Sequence, residues 1–170
     1  MKNIVLTGMM GAGKSTISEK LAQKLAGFIA IDADKVIEYQ ENLSISKIFA
    51  QKGENYFRDL ETQVIKKIFT KTNLIVALGG GAFECEENRE FLLENGIVIY
   101  LEAEPQTLFE RIKNSTNRPL LKEGFGEDRI VQILSAREKN YRLAHFSIKT
   151  DNKSTDEIVQ EIVGLIGHVQ

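Results

Sequence analysis

The sequence predicts an α/β protein built on a mainly parallel sheet, and three observations carry that prediction. Short apolar runs alternate with stretches of helical periodicity along the chain. Two of the runs, LIVAL at 74–78 and IVIYL at 97–101, are apolar without alternation, the pattern of strands covered on both faces. At 170 residues, with 42% hydrophobic and 27% charged residues, the chain has the length and composition of one soluble globular domain with one core.

Each element follows from its local pattern. NIVLT at 3–7 is a β-branched run that stops at Gly8, after which Ile17, Leu21 and Leu25 recur at helical spacing: strand, glycine loop, helix. FIAIDAD reads as a second strand ending near Asp32. Ile45, Ile48 and Phe49 predict a short helix that starts at Ser44, and Phe57, Leu60, Val64, Ile65, Ile68 and Phe69 predict a longer one. LIVAL is the third strand. A helix from about Glu86 to Asn95 leads to IVIYL, with Gly96 as its stop. Pro105 sits in the first turn of a helix that runs to about Lys113. The polar segment 114–128, with a proline and two glycines, has no period and reads as a loop. A charged helix to about Tyr141 follows, then a last strand in HFSIKT. Ser154 and Glu157 form a capping box before the apolar pattern IVQEIVGLI. No repeat, low-complexity tract or linker divides the chain, so a single domain over 1–170 is expected.

The bulk properties narrow the function classes. A formal charge of -2 argues against a nucleic-acid binder that works by bulk electrostatics, which leaves a small molecule as the expected partner. Cys85 is the only cysteine, so neither an internal disulfide nor a cysteine-based metal site is available, which suits a reducing compartment. The longest apolar runs, of four or five residues, are far short of the roughly 20 that span a bilayer, and MKNIVLTGMMGAGKS lacks the apolar core of a signal peptide. A cytoplasmic protein without membrane contact is expected.

GMMGAGKS, Gly8 to Ser15, matches G-x-x-x-x-G-K-[ST] in full, between a strand and a helix as the motif requires. Its glycines let backbone N–H groups wrap phosphate oxygens at the positive end of the following helix. The expected nucleotide contacts are Gly11, Ala12, Gly13, Lys14, Ser15 and Thr16, with Lys14 on the β- and γ-phosphates and the Ser15 hydroxyl on Mg²⁺. Asp32 and Asp34 lie two apart at the end of the second strand, where extended backbone points both to one side and where open α/β sheets bind ligands. Asp32 is assigned to the metal and Asp34 to a substrate hydroxyl. The plainer account is that one of them caps the helix starting at Lys35.

Glu54, Arg58 and Glu61 share a helix face, as does a surface ion-pair ladder. Arg137, with Glu138 and Lys139 beside it, has a similar bland reading as part of a solvated face. Arg118 differs because Pro119 holds it extended in the long loop, where a guanidinium could close on phosphates as an arginine finger does. Gly79, Gly80 and Gly81 follow the third strand at the same sheet edge as the phosphate loop, and such bare backbone suits the seat of a second substrate. His145 and His168 are read as structural, and Cys85 beside three glutamates does not favour a thiolate.

These residues, in this order, resemble shikimate kinase: GMMGAGKST, IDAD, GENYFRDLE, LGGG, NRPLL and AREKNY, over about Met1 to Thr150. The phosphate loop alone is not specific to that family, whereas the combination is. The resemblance implies a three-layer kinase fold of the nucleoside-monophosphate-kinase type. That fold is a five-stranded parallel sheet of order 2-3-1-4-5 flanked by helices, with a substrate-binding region at about 33–61 and a mobile lid at about 114–126. It implies Mg²⁺-dependent transfer of the γ-phosphoryl of ATP to the 3-hydroxyl of shikimate, on the route to chorismate and the aromatic amino acids, by a monomer. By motif position, Asp34, Arg58, Gly80 and Arg137 would hold shikimate, with Asp34 as general base. Arg118 would be the lid arginine, Ser15 and Asp32 the metal side, and Arg111 the residue stacked on adenine. The loop TDNKSTD departs from the family, which often has a proline near the adenine there, so the contact at 152–155 is not carried over. The rivals are a gluconate kinase or a nucleotide kinase on the same fold, and a GTP switch or nucleotide-binding regulator. For the switch, the guanine-reading N-K-x-D is missing, since TDNK at 150–153 has the wrong order.

Overall fold

In the computed structural model, which describes residues 2–113 and 126–167, strands and helices alternate as expected. The strands are β1 (Asn3–Thr7), β2 (Ile29–Asp32), β3 (Leu74–Ala77), β4 (Gly96–Glu102) and β5 (Phe146–Lys149). They form one sheet of order β2-β3-β1-β4-β5, and every neighbouring pair is parallel. Ile4 of β1 pairs with Ile75 on one side and Ile97 on the other. All residues of β1 and β3 are buried, as is β4 up to Glu102. Their uninterrupted apolar runs are the direct consequence of helices covering both faces. The edge strands β2 and β5 are partly exposed and carry Asp32, Ser147 and Lys149.

The helices are α1 (Lys14–Lys24), α2 (Ala33–Glu41), α3 (Ile45–Ile68), α4 (Glu86–Asn95), α5 (Pro105–Ile112), α6 (Glu127–Tyr141) and α7 (Thr155–Gly167). Two bounds differ from the sequence reading in ways that matter. α2 begins directly after β2, because Asp32 accepts hydrogen bonds from the backbone N–H groups of Asp34 and Lys35. Asp34 is therefore in a helical first turn and not in extended chain. α3 joins the short and long helices expected there, but it is broken at Gly53, where φ 83 and ψ 169 are far from helical. α6 starts at Glu127, slightly earlier than expected.

Several polar residues fix the connections. The side chain of the buried Asn3 accepts from the Leu74 N–H at 3.0 Å and donates to the Lys71 carbonyl at 2.9 Å, which sets the start of β3 beside β1. His145 Nδ1 accepts from the Val98 N–H at 3.0 Å, and burial keeps its pKa low, so it serves structurally as a neutral acceptor. The capping box at α7 is present, with the Ser154 N–H on Glu157 at 2.7 Å and the Glu157 N–H on Ser154 at 3.3 Å. Among the described residues, no helix is long and apolar enough to cross a membrane. Apart from Gly126, the expected lid at about 114–126 with Arg118 lies outside the described residues, as does His168.

Candidate active site

Because the sheet is parallel, β1, β2 and β3 end at one edge, and their following segments meet there. The loop from Gly8 to Ser15 bridges β1 and α1. Gly13 takes φ 90 at the N-cap of α1, a left-handed turn that costs a side-chain-bearing residue roughly 1–2 kcal/mol. Ala12 is buried, Gly11 and Ser15 are half-buried, and Thr16 faces solvent. Lys14 Nζ lies along the loop and donates to the carbonyls of Gly8 at 2.7 Å and Met9 at 2.9 Å.

Ser15 Oγ donates to Asp32 Oδ2 at 2.6 Å, while Oδ1 of the same carboxylate caps α2. The plainer reading of Asp32 as a helix cap therefore holds, and it leaves the other carboxylate oxygen facing the phosphate loop. The pair offers only oxygen donors, and among the described residues no group of three or more His, Cys, Asp or Glu could cage a metal. Such a donor set fits Mg²⁺, which prefers oxygen, keeps several waters and is held by few protein ligands with substrate phosphates.

The second half of the site is the glycine run after β3. A Cβ on Gly79 would fall 2.5 Å from Asp34 Oδ1 and 3.1 Å from Glu61 Oε1. On Gly81 it would fall 2.7 Å from Arg58 Nη1. A side chain at Gly79 or Gly81 would therefore displace the tips of Asp34 or Arg58 from where they stand. Gly80 has ordinary clearances, with the Met10 nitrogen at 3.6 Å and the Arg137 Nη1 and Gly8 carbonyl at 3.7 Å. Arg137 donates to the Gly80 carbonyl at 3.0 Å. Asp34, Arg58 and Arg137, widely separated in sequence, converge from three helices on this one run, which lies against the phosphate loop.

Arg58 donates to Glu61 at 2.8 Å and to Glu54 at 3.3 Å, so the ladder suggested by spacing exists. It is not a surface ladder, since Glu61 is 1% exposed. Burial pushes the Glu61 carboxyl from the ordinary 4.5 up to about 7, and the nearby Asp34 adds to the rise against the opposing pull of Arg58 and Arg137. Arg58 is held charged: its partial burial opposes this, but Glu61 and Glu54 outweigh it. Glu61 thereby fixes the guanidinium of Arg58 from behind. The signal for it was present, because Glu61 stands four residues from both Phe57 and Ile65, inside the apolar stripe. Arg137 likewise is half-buried against the glycine run and does not lie on a solvated face.

Arg111 of α5 donates to the Gly11 carbonyl at 3.4 Å and to the Thr150 hydroxyl and carbonyl at 3.1 and 3.0 Å. It ties the phosphate loop to the chain after β5. Asp151 accepts from the Glu104 N–H at 3.0 Å, which draws the segment leading to residues 152–155 to the start of α5.

The family model described as Shikimate kinase matches residues 10–166. A shikimate kinase of Persephonella marina is 45% identical over 166 residues, covering 98% of this chain and 99% of the relative. A solved shikimate kinase from Acinetobacter baumannii, in complex with shikimate, superposes with a TM-score of 0.94 at 37% identity, covering 100% of this chain and 95% of that one. A gluconokinase from Sinorhizobium meliloti, 16% identical with a TM-score of 0.61 and covering 99% and 93%, shares the fold alone. With its parallel sheet, its phosphate loop and a family match that spans nearly its whole length, the chain belongs to the shikimate kinase family.

Proposed function

We infer that the protein transfers the γ-phosphoryl group of ATP to the 3-hydroxyl of shikimate, giving shikimate 3-phosphate and ADP for the synthesis of chorismate and aromatic amino acids. The observation that carries this reading is the convergence of Asp34, Arg58 and Arg137 on Gly79–Gly81, in contact with the phosphate loop. A small hydroxylated carboxylic acid accounts for two guanidinium groups, one carboxylate and bare backbone around one seat. The acid function pairs with Arg58 and Arg137 beside Gly80, and Asp34 receives the ring hydroxyls.

The chemistry follows from that placement. The loop from Gly11 to Thr16 holds the nucleotide phosphates, and Lys14 exchanges the Gly8 and Met9 carbonyls for phosphate oxygens. Mg²⁺, beside Ser15 and Asp32, would neutralise phosphate charge when bound. The 3-hydroxyl oxygen forms a bond to the γ-phosphorus as the bond to the bridging oxygen of ADP breaks, and Asp34 accepts the hydroxyl proton. By its motif position, Arg118 stabilises the charge on the transferred group and helps exclude water. Arg111, already bridging Gly11 and Thr150, lies beside the adenine. The reading takes the enzyme as a cytoplasmic monomer in which residues 1–170 form one domain.

The test is ADP release from Mg-ATP with shikimate, gluconate, a panel of nucleoside monophosphates, or no acceptor. Release driven by shikimate alone is expected, with phosphate appearing on the substrate. In the same assay Arg58→Ala and Arg137→Ala mainly raise the KM for shikimate, while Asp34→Asn and Lys14→Met mainly lower kcat. Turnover without acceptor, or with gluconate, would remove the shikimate assignment.

A further inference from the structure

We propose that Tyr141 is a positioning residue for the acidic substrate: its hydroxyl anchors the Gly80 carbonyl, so that the glycine run and the guanidinium of Arg137 keep the arrangement that receives a carboxylate. The proposal rests on the shikimate reading above and adds a residue that does not itself touch the substrate.

Tyr141 is the last residue of α6, four positions after Arg137, so the two side chains leave the same helix face. Both donate to one acceptor. The Tyr141 hydroxyl hydrogen-bonds the Gly80 carbonyl, which also takes Arg137 Nη1 at 3.0 Å, and the two lone pairs of that oxygen are thereby filled. The ring of Tyr141 is fully buried and stacks on Tyr100 of β4, with centroids 5.1 Å apart and planes at 25°. The hydroxyl also lies 3.9 Å from Met9 Sδ in the phosphate loop. One residue earlier, Asn140 donates to Glu84 at 3.1 Å and holds the chain just after the glycines to the same helix end. Burial pushes the Tyr141 hydroxyl up to about 12, so it remains a donor throughout the working pH range.

Three consecutive glycines have no Cβ to resist rotation of their peptides, so the orientation of the run must be imposed from outside. A trans peptide is planar, and no cis bond is present among the described residues. Fixing the Gly80 carbonyl toward α6 therefore turns the N–H of Gly81 to the opposite side. Tyr141 also relieves Arg137: with the carbonyl already satisfied, the other N–H groups of the guanidinium are left for the substrate carboxylate. Without the hydroxyl, Arg137 is the one side-chain donor to the Gly80 carbonyl among the described residues and must serve both.

The test is Tyr141→Phe, which keeps the stacked ring and removes only the hydroxyl. An increase of about tenfold in the KM for shikimate is expected, the size of one lost buried hydrogen bond, with kcat and the KM for ATP within about twofold of the parent. Tyr100→Phe, which alters the neighbouring ring of the stack, should leave the KM for shikimate unchanged. An unchanged KM for shikimate in folded Tyr141→Phe, or equal rises in both KM values, overturns the proposal, the latter because it marks general loosening. If Tyr141→Phe does not fold, the buried hydroxyl proton of the parent is followed by NMR: it should shift on adding shikimate and stay in place with ADP alone, and the absence of any shikimate-induced shift overturns the role. A parent chain that does not turn over shikimate at all removes the substrate assignment and this proposal with it, whereas normal parent turnover with an unaffected variant removes only the proposal.

Discussion

Glu61 is the residue at which burial and charge are most at odds. Its carboxyl is driven up to about 7 by desolvation, although Arg58 and Arg137 pull the other way. A folded pKa above the unfolded value means that the group favours the folded state at low pH. That contribution is complete below about 4.5 and is lost as pH rises to about 7, where Glu61 ionises in the folded protein. Thermal unfolding of the parent and of Glu61→Gln should therefore diverge with pH. The parent loses stability relative to the variant between about pH 4.5 and 7, and the difference levels off above. A constant difference across that window would show that the carboxyl titrates normally. At this scale the phosphate loop was fully legible, because spacing alone defines it. Glu61 reads from spacing alone as a member of a charged ladder; its place in the apolar stripe between Phe57 and Ile65 is the signal of burial, and how deep that burial goes is a tertiary fact. The crowding at Gly79 and Gly81 was also hidden: it depends on where Asp34 and Arg58 place their tips, which is a tertiary fact.

Among the elements, α3 depends on its break. Gly53 has φ 83 and ψ 169, a region that is essentially glycine's alone, and no heavy atom lies within 4 Å of a Cβ built there. Gly53→Ala should therefore act through the backbone and not through crowding, with a loss of roughly 1–3 kcal/mol measured by denaturant unfolding. A variant of unchanged stability would mean that the break relaxes into continuous helix at no cost. The sequence separated the two halves of α3 by their apolar stripes, Ile45, Ile48 and Phe49 against Phe57 to Phe69. It misplaced the start of α2, since an aspartate at a strand end can equally extend the strand or cap a helix. The choice is made by the N–H groups of Asp34 and Lys35, which need an acceptor and find it in Asp32.

Across the whole molecule, strand existence and the parallel sheet were readable because covered strands leave unbroken apolar runs, while the order β2-β3-β1-β4-β5 came only with the resemblance. Since the site is assembled from α2, α3, α6 and two glycine loops, a ligand seated there joins most of the fold and should stabilise it as one unit. Shikimate at about a hundred times its Kd contributes about 2.7 kcal/mol by mass action. For a domain of this size that corresponds to a Tm higher by roughly 5–10 °C. Gluconate at the same concentration should leave the Tm where it is, and an equal rise with both would mean that the seat does not discriminate. The strand order has one more consequence. β1 is made first yet bonds only to β3 and β4, so a growing chain that has not reached Leu74 carries its central strand, wholly buried in the folded protein, with no neighbour to pair with. During synthesis on the ribosome, that interval is when the nascent chain is most exposed to aggregation and most in need of chaperone cover.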